Sequence, residues 1–355
     1  MKVIRREDHE LFEHQMLSSD ASFSDESEGR ERSGDQDMLR GEYQRDRDKI
    51  LHTKAFRRLS HKTQVFLAVE GDHFRTRLTH TLEVAQIART IGRALGLNED
   101  LTEAIALGHD LGHTPFGHAG EDAIRSCLAR LQGIDPSSPE AQGLYRHNEQ
   151  SLRVVEVIEN SGRGLNLTSE VRDGIVCHTG LIGAETFEGR VVALADRIAY
   201  VNHDIDDAIR AGVLREEDLP ASTHDVLGSD HSSRIQTLVF DAVRTSAAVD
   251  DVRMSEGVWD AMMELRSFLF DNVYYSPIVL EQTEKAHRLV ESLFVYYIEH
   301  VAEVPEEYRM TSEGDDVRAV VDYLAGMTDR FAVSTFKRLF VPAHDEGGLP
   351  AGSCC

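Results

Sequence analysis

Long apolar runs are missing from this chain of 355 residues: stretches such as Val191 to Ala195 are short and broken by charge. The opening Met1-Lys2-Val3-Ile4-Arg5-Arg6-Glu7-Asp8 also lacks the apolar length that a signal peptide or membrane helix requires. Both absences predict a cytoplasmic protein with no membrane partner. Cysteine is scarce, and Cys127, Cys177, Cys354 and Cys355 show no CxxC spacing, which fits a reducing compartment better than a disulfide framework. The terminal Cys354-Cys355 pair is not read as a lipidation signal, because that pattern depends on the right host enzymes. Positive charge is also short: 38 Lys and Arg face 62 Asp and Glu, a net charge of -24. That balance argues against wrapping a nucleic-acid backbone, which needs a broad basic surface. A polyanionic substrate would need a local basic pocket, and Arg57, Arg58, Lys62, Arg75 and Arg77 are a cluster that could supply one.

What the chain does have is apolar residues, 41% of the total, enough for a substantial core in one large domain or two modest ones. Strand signals are few, and helical spacing recurs at Val84, Ile87, Ile91; Leu101, Ile105; Ile124, Cys127, Leu131; Leu152, Val155, Ile158; and Leu289, Leu293, Tyr297, Val301. The predicted fold class is all-α. Residues 1–39 read as a flexible polar leader, 40–219 as the main helical core, 220–342 as a further helical part packed on it, and 343–355 as a loose tail. Loops are expected at Gly133 to Pro139 and at Leu219-Pro220-Ala221-Ser222. No internal repeat is evident.

The dipeptide His-Asp occurs at His109-Asp110, His203-Asp204, His224-Asp225 and His344-Asp345, so alone it means little. His224 and His344 sit in sequence expected to form surface loops. His109 follows Leu101 and Ile105 in steps of four, on a buried stripe, and His80 shares a face with Val84, Ile87 and Ile91. A single buried histidine is ordinarily a hydrogen-bonded core residue. Two of them, one joined to an aspartate, point elsewhere. A helix over Val191 to Ala211 adds Asp196, Tyr200 and Asp204 at i, i+4 and i+8 among apolar neighbours. Buried carboxylates need a cation or a donor. Imidazoles with carboxylates suit Mn, Fe or Mg better than a structural zinc, and nothing in the residues selects the ion.

The string His109-Asp110-Leu111-Gly112-His113-Thr114-Pro115-Phe116-Gly117-His118-Ala119-Gly120-Glu121, preceded by Arg75-Thr76-Arg77-Leu78-Thr79-His80, resembles the HD-domain deoxynucleoside triphosphate triphosphohydrolases, the dGTPase family. The likeness continues through Phe56-Arg57-Arg58-Leu59, Gln64-Val65-Phe66, Arg146-His147-Asn148-Glu149-Gln150, Ala195-Asp196-Arg197-Ile198-Ala199-Tyr200 and Asp322 to Asp329, spanning about residues 40–340. Thr114 stands where relatives carry proline or serine, with no clear chemical consequence.

The resemblance implies an HD-domain helical fold with additional C-terminal helices. It implies a divalent metal held by His80, His109, Asp110 and Asp196, and hydrolysis at the α-phosphate to a deoxynucleoside and inorganic triphosphate. His118 and Glu121 match the acid/base pair. His113, His147, Arg77 and Arg197 match positions around the phosphates, and Gln64, Tyr200 and Asp204 match positions around the deoxyribose. A homo-oligomer and a regulatory nucleotide are further implications. No regulatory site can be placed, since Arg45, Arg47 and Arg57 have equally good structural roles. Two other functions compete: a different HD enzyme, acting as monophosphatase or cyclic-nucleotide phosphodiesterase, and a non-catalytic nucleotide-binding module. The Pro-Phe-Gly-His motif with Tyr200 disfavours the first, and His118 with Glu121 disfavours the second.

Overall fold

The computed structural model describes residues 3–34, 36–64 and 75–342. Val65 and Phe66, the His344-Asp345 dipeptide and the expected tail at 343–355 with Cys354-Cys355 lie outside the described residues. In chain order the helices are α1 (Arg6–Met16), α2 (Glu42–Leu51), α3 (Lys54–Arg58), α4 (Arg77–Leu95), α5 (Glu99–Gly108), α6 (His118–Leu131), α7 (His147–Arg153), α8 (Glu159–Gly162) and α9 (Ser169–Cys177). They continue as α10 (Phe187–Arg210), α11 (Ala221–Leu227), α12 (His231–Ser246), α13 (Glu256–Leu269), α14 (Pro277–Glu299), α15 (Glu306–Thr311), α16 (Asp316–Ala325) and α17 (Asp329–Phe340). Among the described residues the only β-type pairings are isolated bridges, Arg30 with Thr168 and Thr63 with Thr76. The expected all-α class is what the structure shows. No helix among the described residues is long and apolar enough to cross a membrane.

Local chemistry sets the helix ends. The Thr76 hydroxyl accepts from Thr79 N to start α4, and Gly96 ends it at φ 71, a left-handed conformation that favours glycine. Asn98 then caps α5 by accepting from the amides of Asp100 and Leu101. Leu219-Pro220-Ala221-Ser222 is not a plain loop: Pro220 precedes α11, where its missing N–H costs nothing, so His224 is helical rather than in a loop.

Two apolar cores organise these helices. The first joins Ile87 and Ile91 of α4, Leu101 and Ile105 of α5, and Val191, Ala195 and Ile198 of α10 to Leu227, Leu238, Met262 and Leu269. Residues between 221 and 273 thus pack directly on the helices that precede residue 220. The second core joins Ile124 and Leu128 of α6 and Tyr145 to Leu293, Phe294 and Tyr297 of α14 and to Val320 and Leu324 of α16. The expected metal ligands ride on the first core, and His118 and Glu121 on the second.

The leader is not a free polar segment. Arg30 pairs with Glu42 and with buried Asp46, and it also donates to the Asn166 carbonyl at 2.7 Å. Ser22 donates its backbone and hydroxyl to the Glu188 carboxylate, both at 3.0 Å. Glu170 accepts from Ser27 and from Glu28 N. The polar residues whose composition reads as disorder are the ones that tie this segment to the core.

Candidate metal centre

The α4 face that buries Val84, Ile87 and Ile91 also carries His80, while His109 caps the C-terminus of α5 with Asp110 next to it. Asp196 projects from mid-α10, and its Oδ1 lies 3.0 Å from His80 Nε2 and 3.9 Å from His109 Nε2. His109 Nε2 is 3.4 Å from Asp110 Oδ1. The four residues read as ligands from separate helices are thus brought together. His109 Nδ1 lies 2.6 Å from the Ala106 carbonyl, which can only accept, so the proton is on Nδ1. Its buried Nε2 is left as a lone pair with no hydrogen-bond partner. An orphaned imidazole nitrogen aimed between two carboxylates is what a divalent cation satisfies, and the donor set fits one.

Burial alone would raise the carboxyl of Asp110, but its neighbours His113, His109 and Arg77 hold it well below the usual range. Burial also works against ionised Asp196, and His80 and His109 outweigh it. Both groups are acceptors ready for a cation.

Beside this cluster, Phe116 and Gly117 adopt φ 63 and φ 57, turning the chain sharply before α6. A left-handed phenylalanine is strained, and such strain persists only where neighbours enforce it. Here Asp329 of α17 does so: Oδ1 accepts from Phe116 N at 2.9 Å, and Oδ2 from Thr63 N at 2.8 Å. A side chain at Gly117 would meet the Arg77 guanidinium at 2.8 Å. The turn presents His118 as the first residue of α6, its side chain 68% exposed, with Nδ1 3.5 Å from buried Glu121 Oε2. The same carboxylate oxygen is 3.2 Å from His147 Nδ1. Burial raises the Glu121 carboxyl, but hydrogen bonds from His118 and His147 dominate and keep it ionised.

The other expected residues divide. His113 is buried, stacked on His147 with centroids 3.9 Å apart, and its Nδ1 is 2.9 Å from Asp110 Oδ1. Arg77 is buried and donates to Asp110. Gln64 is buried with Oε1 unpartnered. Tyr200 stacks with Tyr274 at 6.3 Å, and Asp204 is buried and accepts from the Tyr274 hydroxyl. Arg197 is not in the cluster: it is exposed, lies over the Trp259 ring at 5.8 Å, and lines a cavity of about 710 Å³ with Arg190 and Arg253. Nor do the five basic residues near the N-terminal side form one pocket. Arg57 donates to the His52 carbonyl, Arg58 to Tyr308 and Arg75 to Glu83 and Asp207, while Lys62 is buried on carbonyl oxygens. Arg45 and Arg47 pair with Glu42, Asp48, Asp100 and Glu103.

Three residues escaped the sequence reading. His178 at the end of α9 is buried 4.9 Å from the His109 ring and has Nε2 3.3 Å from His147 Nε2. Its position after Val171 and Ile175, on the buried face of that helix, was a usable signal. Tyr274 lies in a π-helical turn over Phe270–Tyr274, where no regular period marks the inward face. His203 was visible only as one more His-Asp pair.

The HD domain family matches residues 77–201, and the phosphohydrolase-associated domain matches residues 252–338. A deoxyguanosinetriphosphate triphosphohydrolase-like protein of Caldanaerobacter subterraneus subsp. tengcongensis is 53% identical over 97% of this chain and 97% of its own. The chain belongs to this family of HD-domain proteins. Another deoxyguanosinetriphosphate triphosphohydrolase-like protein, from Clostridium perfringens strain SM101, is 50% identical over 96% of this chain and 98% of its own. One from Desulfatibacillum aliphaticivorans is 45% identical over 95% and 98%. The HD match begins at Arg77 and ends at Val201, enclosing His80, His109, Asp110, His118, Glu121 and Asp196. Membership makes this chain an HD-type phosphohydrolase with a His/Asp site for a divalent metal.

Proposed function

We propose that this protein hydrolyses deoxynucleoside triphosphates to a deoxynucleoside and inorganic triphosphate, with water attacking the α-phosphate. The observation that supports this most is an exposed histidine, His118, backed by the buried and ionised Glu121, next to the His80, His109, Asp110, Asp196 cluster. A divalent ion (Mn, Mg or Fe) held by those four would supply charge neutralisation at the phosphate and activation of water. In this reading His118 would give or take a proton at the reacting oxygen, with Glu121 orienting it and stabilising its cationic form. His113, His147 and Arg77 surround the phosphates in this reading, while Gln64, Tyr200 and Asp204 hold the sugar. Tyr200 would leave no room for a 2′-hydroxyl. Arg197, turned toward Trp259, lies away from that cluster, so the phosphate contact implied for it has no support in the geometry. A homo-oligomer in the cytoplasm, controlled by a second nucleotide, belongs to the same proposal.

The alternative is another HD nucleotide hydrolase, a monophosphatase or phosphodiesterase, or a binding module without turnover. A chromatographic assay of the purified chain with Mn or Mg, over all four deoxynucleotides alone and mixed, decides. Deoxynucleoside plus triphosphate is the expected product pair. Recovery of pyrophosphate with a deoxynucleoside monophosphate would overturn the proposed bond cleavage.

A further inference from the structure

The His203-Asp204 dipeptide enters the proposed function only through Asp204, yet His203 is also buried. Its ring stands edge-on to His80, with centroids 5.5 Å apart and the two Nδ1 atoms 3.3 Å apart. On its other side, His203 Nε2 lies 2.7 Å from Glu83 Oε2. Glu83 sits on α4, three residues beyond His80, and also accepts from Arg75 Nε at 3.2 Å.

These contacts assign protons in sequence. A carboxylate paired with arginine only accepts, so the 2.7 Å contact requires the proton on His203 Nε2. A neutral His203 then turns a bare Nδ1 toward His80, and the 3.3 Å contact requires the proton on His80 Nδ1. His80 Nε2 is left as a lone pair 3.0 Å from Asp196 Oδ1. With His80 neutral, two acceptors face each other there, and either a proton or a metal cation must lie between them. Neighbouring ligands of an octahedral ion, each about 2.1 Å from it, are about 3 Å apart.

We propose that Glu83 and His203 are positioning residues that fix the tautomer of His80, so that its Nε2 lone pair faces the divalent cation. This rests on the reading of His80 as a metal ligand. Partners of this kind on a ligand's far nitrogen raise its basicity and hold its ring.

The test titrates metal-stripped full-length protein with Mn²⁺ by calorimetry. His203→Leu should weaken Mn²⁺ binding about 10- to 100-fold, while His203→Asn, whose Oδ1 can still accept from His80 Nδ1–H, should stay within about threefold of native. Glu83→Ala, at a partly exposed position, should weaken binding roughly tenfold. Nitrogen-15 NMR of the metal-free protein should show His80 protonated at Nδ1 in the native chain and no longer fixed there in His203→Leu. Native-like Mn²⁺ affinity in His203→Leu overturns the proposal, as does an equal loss in His203→Asn. If His203→Leu does not fold, Glu83→Ala decides by the same measurements. Unchanged Mn²⁺ binding in His80→Ala would instead refute His80 as a ligand, a failure distinct from that of the relay.

Discussion

Arg77 Nη1 donates to Asp110 Oδ2 across 2.8 Å, with both side chains buried. The first residue of α4 is thereby tied to the carboxylate that follows α5, and the pairing orients a candidate metal ligand before any ion arrives. Arg77 thus has a partner of its own, through Nη1, beside the phosphate contact that the family resemblance implies for it. Removing it leaves Asp110 as a buried anion, at a cost of about 3–5 kcal/mol. Arg77→Met should therefore melt well below the native chain in chelator, and Mn²⁺ should restore part of the difference by replacing the lost positive charge. Equal melting temperatures in chelator would show that the pair is dispensable.

His118 begins α6 with its side chain 68% exposed, so its loss should leave the fold intact. His118→Ala is expected to lower kcat about 10²- to 10⁴-fold, the range for removal of a general acid or base. Its Mn²⁺ affinity, measured by calorimetry, should match native. Glu121→Gln should fall in the same direction, because the amide keeps the shape but not the charge that stabilises protonated His118. Full activity in His118→Ala would remove the histidine from the mechanism.

The parts of this molecule that sequence made legible are those where burial and helical period coincide. His80 and His109 announced themselves because Val84, Ile87 and Ile91, or Leu101 and Ile105, share their faces, and Asp196 because it interrupts an apolar stripe. The contacts of the leader were hidden for the opposite reason: Ser22, Ser27 and Arg30 bind through directed polar bonds to Glu188, Glu170 and Asp46, which composition cannot distinguish from solvated polar residues. Tyr274 was hidden because a π-helical turn shifts the register that a 3.6-residue period would need. Helices after residue 220 pack on the core they follow: Pro220 starts α11, whose Leu227 joins the same apolar cluster as Ile198.

Tyr274 is the hydrogen-bond donor to Asp204, whose other oxygen is buried without a partner. Burial, followed by the charge of Asp207, raises the Asp204 carboxyl well above its ordinary value. Tyr274→Phe takes away the donor that holds this carboxyl in place beneath the proposed sugar site. A hydrogen bond of this kind contributes about 0.5–1.5 kcal/mol, so KM for a deoxynucleoside triphosphate should rise roughly 3- to 10-fold with kcat little changed. Steady-state kinetics separate the two constants, and a fall in kcat at constant KM would place Tyr274 in the chemistry instead.

Lys62 makes stability depend on pH in a definite direction. Its ammonium is buried against the carbonyls of His113 and Ala325, and burial pushes its pKa from 10.5 down to about 7. Below pH 7 both folded and unfolded chains carry the proton, and the cost of burying the charge is present in full. Between about pH 7 and 10.5 the unfolded chain keeps a proton that the folded chain has released, so stability rises with pH across that window. The slope from one such group is at most about 1.4 kcal/mol per pH unit. Lys62→Met carries no proton in either state, so urea unfolding of both chains isolates the term. The stability of the native chain relative to Lys62→Met should be level below neutrality and climb from there toward pH 10, and a difference that stays flat would show that Lys62 keeps an ordinary pKa in the folded protein.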